Sequence, residues 1–201
     1  IDLCIGSEAD QPITQRQMMF APFYLMDAFD GAQIKSDSIQ RPLITANELV
    51  VDATPEPDES DWMPTPLQCS LLLFILTAAA TIYGIRRRTG LWGIDLFLFG
   101  MAGIVGCVLA FLALFSQHPA VSSNFLLLVF HPGQLFFLPY IIYCVRKGKK
   151  CWYLTLNLVI LTLFIVLFPV IPQRFDFAVV PLALVLLIRS ASNLIVTSKK
   201  K

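Results

Sequence analysis

Apolar residues fill the last two thirds of the chain in five long blocks, at roughly 66–85, 94–115, 124–145, 152–171 and 176–196. A helix needs about 20 consecutive apolar residues to cross a bilayer, and each block reaches that length. Short polar connectors separate the blocks. "RRR" at 86–88 follows the first, "RKGKK" at 146–150 the third, and "KKK" at 199–201 the fifth. The other two connectors, "SQHPAVSS" and "PQRF", contribute a single basic residue, Arg174. Alternate connectors are therefore basic, and Lys and Arg concentrate on the cytoplasmic side of membrane proteins. This pattern predicts five spans, with the N-terminal part outside and the tail in the cytoplasm. Trp62, Trp92 and Trp152 fall at predicted helix ends, where an amphipathic ring favours the interface, a placement that chance also produces.

The residues ahead of the first block follow other periods. "ITQRQMMFAPFYLMDAFDG" offers Thr14 as N-cap and Gly31 as a stop, and Pro22 is expected to break or kink that helix. "AQIKSDSIQRPLITANELVV" has short extended runs around a polar turn, which predicts a hairpin. "DATPEPDESDWMPTP" is acidic and proline-rich, the composition of a linker. The expected organisation is a small periplasmic α+β appendage over 1–52, a linker over 53–65, and a five-helix transmembrane bundle with a cytoplasmic tail over 66–201. The fold class is thus an all-α membrane protein carrying a small mixed appendage. The chain opens on Ile1 in mid-motif, without a charged n-region or an apolar signal core. It is expected to be the C-terminal part of a longer protein, its appendage packing on an upstream domain or lying on the membrane surface.

Composition agrees with insertion. The chain is 56% hydrophobic and 14% charged, with a mean hydropathy of +0.69, whereas soluble domains carry about 25% charged residues. The net charge of +1 conceals an asymmetry. Residues 1–61 hold twelve of the fourteen acidic residues and three of the fifteen basic ones, a net −9; the remainder is net +10. The basic connectors set topology and can touch anionic lipid, so no nucleic-acid partner is expected. Five cysteines (Cys4, Cys69, Cys107, Cys144, Cys151) form no CxxC pair and no metal-ligand spacing, and there is no glycine-rich phosphate loop. No cofactor or metal is expected.

Polar residues inside apolar blocks are the candidates for chemistry. The only two histidines, His118 and His131, each precede a proline. His118 lies in the first outward connector. His131 lies about seven residues into the third block, roughly 10 Å deep at 1.5 Å per residue. Spacings of seven and three put Asn124, His131 and Gln134 on one face of a helix. Pro132 removes a donor, and the carbonyl it frees must be satisfied by protein or water in lipid. One reading is a polar groove in the outer leaflet that holds the ester region of a lipid, lined by His118, Asn124, His131 and Gln134. The other is a neutral histidine that bonds across helices and plugs a kink, with His118 a plain loop residue. Asp95 and Arg189 sit near the inner ends of the second and fifth blocks; they form a structural ion pair or reach the interface separately. Asn157, Ser190, Ser192 and Asn193 read as interhelical hydrogen-bonding groups.

Three blocks carry a family likeness: "DLCIGSEADQPITQRQMMFAPFYLMDAFDGA", "FLALFSQHPAVSSNFLLLVFHPGQLFFLP" and "RFDFAVVPLALVLLIRS". Together they resemble the C-terminal region of Lnb-like membrane proteins, in which a periplasmic domain precedes a five-helix membrane domain. The resemblance covers nearly all of the chain. It implies transfer of a fatty acyl group onto the N-terminal cysteine of a lipidated protein, through a thiol nucleophile and a histidine in the outer domain. No stretch here matches such a nucleophile. Cys4, in "LCIGS", has no histidine near it in sequence and reads as a small packed residue. No catalytic residue is therefore assigned, and the chain is not expected to act alone as an enzyme. The resemblance also implies the bacterial inner membrane as location, and phospholipid, a lipoprotein substrate and the preceding periplasmic domain as partners. A membrane anchor or assembly module for that domain is the rival reading. A transporter is weaker, since five spans do not divide into two equal inverted halves.

Overall fold

The computed structural model describes residues 12, 14, 18, 21–36, 39–48, 64–116 and 123–198. They divide into two units, one within Gln11–Trp62 and one within Met63–Lys201.

The smaller unit contains helix α1 (Pro22–Asp30) and an antiparallel hairpin of β1 (Gln33–Ser36) and β2 (Ile39–Pro42), with Ser36 opposite Ile39. Pro22 starts the helix instead of breaking it. At the first helical position its missing N–H costs no intrahelical bond and its fixed φ already suits the helix. Gly31 ends the helix, its N–H bonded to the Asp27 carbonyl. Asn47 donates to Asp30 at 2.8 Å, and Leu43 N–H donates to the Ala32 carbonyl at 2.8 Å. Trp62 and most of the linker lie outside the described residues.

The larger unit is helical. It comprises α2 (Pro66–Arg87), α3 (Trp92–Phe115), α4 (Gly133–Phe136), α5 (Leu138–Lys147), α6 (Trp152–Leu167) and α7 (Val179–Ser198). Among the described residues α2, α3 and α7 are long and apolar enough to cross a membrane; the bent stretch 125–147 makes a fourth if taken as one span. Helix α6 is apolar but shorter, at 16 residues. The start of α2 is a capping box: Thr65 Oγ1 accepts from Gln68 N–H at 3.3 Å, and Gln68 Oε1 accepts from Thr65 N–H at 2.9 Å. Arg86 and Arg87 occupy its last turn, where cations complement the helix dipole.

The third block departs most from the expected continuous helix. A 3-10 turn (Phe125–Leu128) leads to α4 and then to α5, with a 74° bend between the two halves. Pro132 and Pro139 lack donors, and Asn124 caps the 3-10 turn by accepting from Leu126 N–H at 3.0 Å. Gln134 Nε2 donates to the Val129 carbonyl at 2.8 Å, supplying from a side chain the donor that the break removes. Helix α3 accommodates the break through glycine. A Cβ on Gly106 would stand 2.6–2.7 Å from the backbone of His131, and one on Gly103 would strike Leu135.

Packing joins the connectors in two groups. At one end Gly90 abuts Val145, Cys151 N–H donates to Asn193 Oδ1 at 3.1 Å, and Asn193 Nδ2 donates to the Lys149 carbonyl at 3.3 Å. Here the connector 88–91, the basic connector 148–151 and the last turns of α7 meet. At the other end Phe125 N–H donates to Gln173 Oε1 at 2.8 Å. Helix α7 packs against both α2 and α6, whereas α3 packs against α4 and α5. The α2 side of its contact is small and polar (Ser70, Thr77, Thr81, Gly84, all buried), which lets backbones approach closely in lipid.

Candidate functional site

The break in the third block opens into a polar network across three elements. His131 Nε2 lies 3.1 Å from Asn157 Oδ1, and Tyr153 Oη lies 3.3 Å from His131 Nδ1. Asn157 Nδ2 donates to Ser190 Oγ at 3.0 Å, and Ser190 Oγ donates to the Leu186 carbonyl at 2.8 Å. Gln134 Nε2 reaches Asn157 Oδ1 at 3.4 Å. The serine hydroxyl has one proton and gives it to Leu186, so it accepts from Asn157 and fixes which way that amide faces. An amide oxygen only accepts, so His131 carries a proton on Nε2, while its Nδ1 pairs with the Tyr153 hydroxyl. Both ring nitrogens are engaged. Gln134 Oε1 is buried and has no hydrogen-bond partner among the described residues.

The structure brings His131 and Gln134 together on Asn157 and separates Asn124 from them. With the segment bent and partly 3-10, spacings of seven and three no longer mark one helical face, and a helical rise no longer gives the depth of His131. Asn124 instead accepts from Gln173 Nε2 at 3.2 Å, at the end of the bundle. His118 and Cys4 lie outside the described residues. Asp95 and Arg189, 2% and 3% exposed, meet at 2.7 Å, and Arg189 Nη1 donates to Thr81 Oγ1 at 3.0 Å. This cluster ties α2, α3 and α7 together, beside a cavity of about 20 Å³. Sequence reasoning did not select Tyr153, Gln173 or Thr81. Tyr153 looks like an interfacial aromatic beside Trp152, and Gln173 like an ordinary connector residue. Asn157 and Ser190 carried the usable signal: amide and hydroxyl groups inside apolar blocks.

An apolar cleft lies against the network. Its volume is about 320 Å³, and its walls come from α2 (Leu73), α3 (Leu98, Ala102, Val105), α7 (Leu182, Leu186) and Phe130. Phe97 and Met101 at its edge are exposed, so the cleft opens sideways, between helices. Phe130 and Leu186 separate it from His131 and Ser190. The volume is roughly twice that of an apolar cavity of ~150 Å³ that accepts benzene.

Cys69 is exposed and Cys107 half-buried. Cys144 and Cys151 are buried and unpaired, and burial pushes the Cys151 thiol up to about 11, away from the thiolate that a nucleophile requires. Among the described residues no three His, Cys, Asp or Glu side chains gather as metal ligands.

Long apolar helices, small-residue helix contacts and a polar network bonded across helices define a helical membrane domain. The family model described as the Lnb transmembrane domain matches residues 58–201, and the chain belongs to that family. No curated protein and no solved structure matches it.

Proposed function

We propose that this chain is the membrane part of a lipoprotein acyltransferase, holding a phospholipid acyl chain beneath a periplasmic domain that carries the nucleophile. The observation that carries the reading is the sideways-opening apolar cleft of about 320 Å³. Lipid tails are as apolar as leucine, so such a slot gains little by hydrophobicity; its use is to fix one chain in position. Ser190 bonds the Leu186 carbonyl at the wall of the cleft, while Asn124 belongs to the end from which the ester would be presented. Five spans, with the basic connectors in the cytoplasm and residues 1–52 in the periplasm of a bacterial inner membrane, fit the grouping of connectors at opposite ends.

The test fills the slot. In the full-length protein, reconstituted in vesicles, Val105→Trp places an indole where the chain would lie. Displacing a reacting group by about 1 Å can cost on the order of 100-fold in rate, so acylation of a lipopeptide should fall by that order at unchanged folded yield. A second reading, an anchor for the periplasmic domain, draws on the internal satisfaction of His131 by Asn157 and Tyr153. Full activity of Val105→Trp would favour the anchor.

A further inference from the structure

The end of the bundle that gathers the basic connectors holds a charge without a counterpart. The connectors 86–88 and 146–150 supply seven cations. Within residues 64–198 the only acidic residues are Asp95 and Asp176. Asp95 is committed to buried Arg189, and Asp176 accepts from Ala178 N–H at the start of α7, far along the chain from either connector. The seven cations therefore have no acidic partner within residues 64–198.

Helix α5 carries two of them, Arg146 and Lys147. Its residues Ile141, Cys144 and Val145 are buried, while Pro139, Ile142, Tyr143, Arg146 and Lys147 line an open groove of about 490 Å³. These five recur at helical spacing, so they share one face. Along roughly 12 Å of that face, at 1.5 Å per residue, apolar contacts give way to an aromatic ring and then to two cations. Arg146 and the neighbouring Lys149 are held at this level by aromatic rings. Arg146 stacks over the Trp92 ring at 5.3 Å, and Lys149 lies over the Tyr143 ring at 5.4 Å with its Nζ donating to Tyr143 Oη at 3.2 Å. A guanidinium stacked by its face keeps its N–H edge free for a bidentate grip on phosphate.

We infer that this face of α5 is a binding site for the headgroup of an anionic phospholipid, with Arg146 and Lys147 taking the phosphate and Pro139 and Ile142 the first carbons of the chains. The site is separate from the cleft and does not depend on it. A lipid bound here fixes the depth and tilt of the bent segment that carries His131 and Gln134.

The experiment uses the whole chain, purified in a mild detergent and given equimolar phosphatidylglycerol and phosphatidylcholine before native mass spectrometry. Phosphatidylglycerol should be retained selectively. Arg146→Gln/Lys147→Gln should lower that retention at least about fivefold, as expected for losing cation–headgroup attraction near a membrane surface. Arg174→Gln, which also removes a positive charge but from the other connector group, should leave it unchanged. Equal retention of both lipids, or an equal loss in Arg174→Gln, overturns the site. A thermal-shift arm on unaltered protein does not depend on the variants. Short-chain phosphatidylglycerol should raise Tm where inorganic phosphate at the same concentration does not; an equal shift with phosphate alone overturns the lipid assignment.

Discussion

Removing either member of the Asp95–Arg189 pair should cost more than removing both. The two side chains are nearly inaccessible and meet at 2.7 Å, with Thr81 as the further acceptor for the guanidinium. Stranding one charge of a buried pair costs about 3–5 kcal/mol, whereas replacing both partners by apolar groups is often neutral. The adjoining cavity of about 20 Å³ admits a water, which needs ~10–15 Å³, and Thr81 stays bonded to Arg189. Both reduce the penalty, so Asp95→Leu should cost about 3 kcal/mol, the low end of that range. At roughly 2–4 °C per kcal/mol for a chain of this size, Tm should fall by about 10 °C. Asp95→Leu/Arg189→Met should recover most of that loss. The assay is thermal unfolding by circular dichroism in one detergent for the four members of the cycle. Additive singles would refute the reasoning, since they would mean that each charge reaches the interface on its own. Arg189→Lys separates the same two cases: a snorkelling cation tolerates it, whereas a fork shared between Asp95 and Thr81 does not.

Three further outcomes follow from the geometry. Gly106→Leu should abolish the folded bundle, because a Cβ there meets the His131 backbone at 2.6–2.7 Å, whereas Gly93→Ala, with nothing within 4 Å, should be neutral or add up to about 1 kcal/mol of helix propensity; folded yield from a sizing column reads both. Asn157→Leu removes its bonds to His131, Gln134 and Ser190, and at ~0.6 kcal/mol per interhelical hydrogen bond should cost about 2 kcal/mol in the same thermal assay; no change would mean that the network is ornamental. In a cysteine-free background Ala120→Cys should react with an impermeant maleimide from outside and Lys150→Cys only after permeabilisation; the reverse pattern sinks the five-span reading.

Much of the larger unit was legible because lipid imposes simple rules. Block length marked the three helices long enough to cross a membrane and the bent stretch that makes a fourth if taken as one span. The hairpin was legible too, since extended runs around a polar turn leave few alternatives. The third block was misread because hydropathy counts apolar residues without regard to backbone geometry. Pro132 and Pro139 gave warning, but the compensation that makes a 74° bend tolerable is long-range: glycines on α3 and a donor from Gln134. Helical periodicity then placed Asn124 with His131, where the 3-10 turn and the non-helical residues 129–132 break that period. The cleft had no signature at all. Leu73, Phe130 and Leu186 are ordinary apolar residues, and only the limited contact between α3 and α7 leaves a space among them.

The orientation fixed by Ser190 also bears on the electrical tightness of the membrane. A relay that conducts protons must let every member take a proton on one side and release it on the other. The series His131, Asn157, Ser190 runs one way only and ends on the Leu186 carbonyl, which has nothing to pass on. The member next to the imidazole is an amide, a poor carrier of an extra proton. A histidine, a tyrosine and a serine thus occupy the apolar interior without forming a wire, and the bilayer around them can keep its potential.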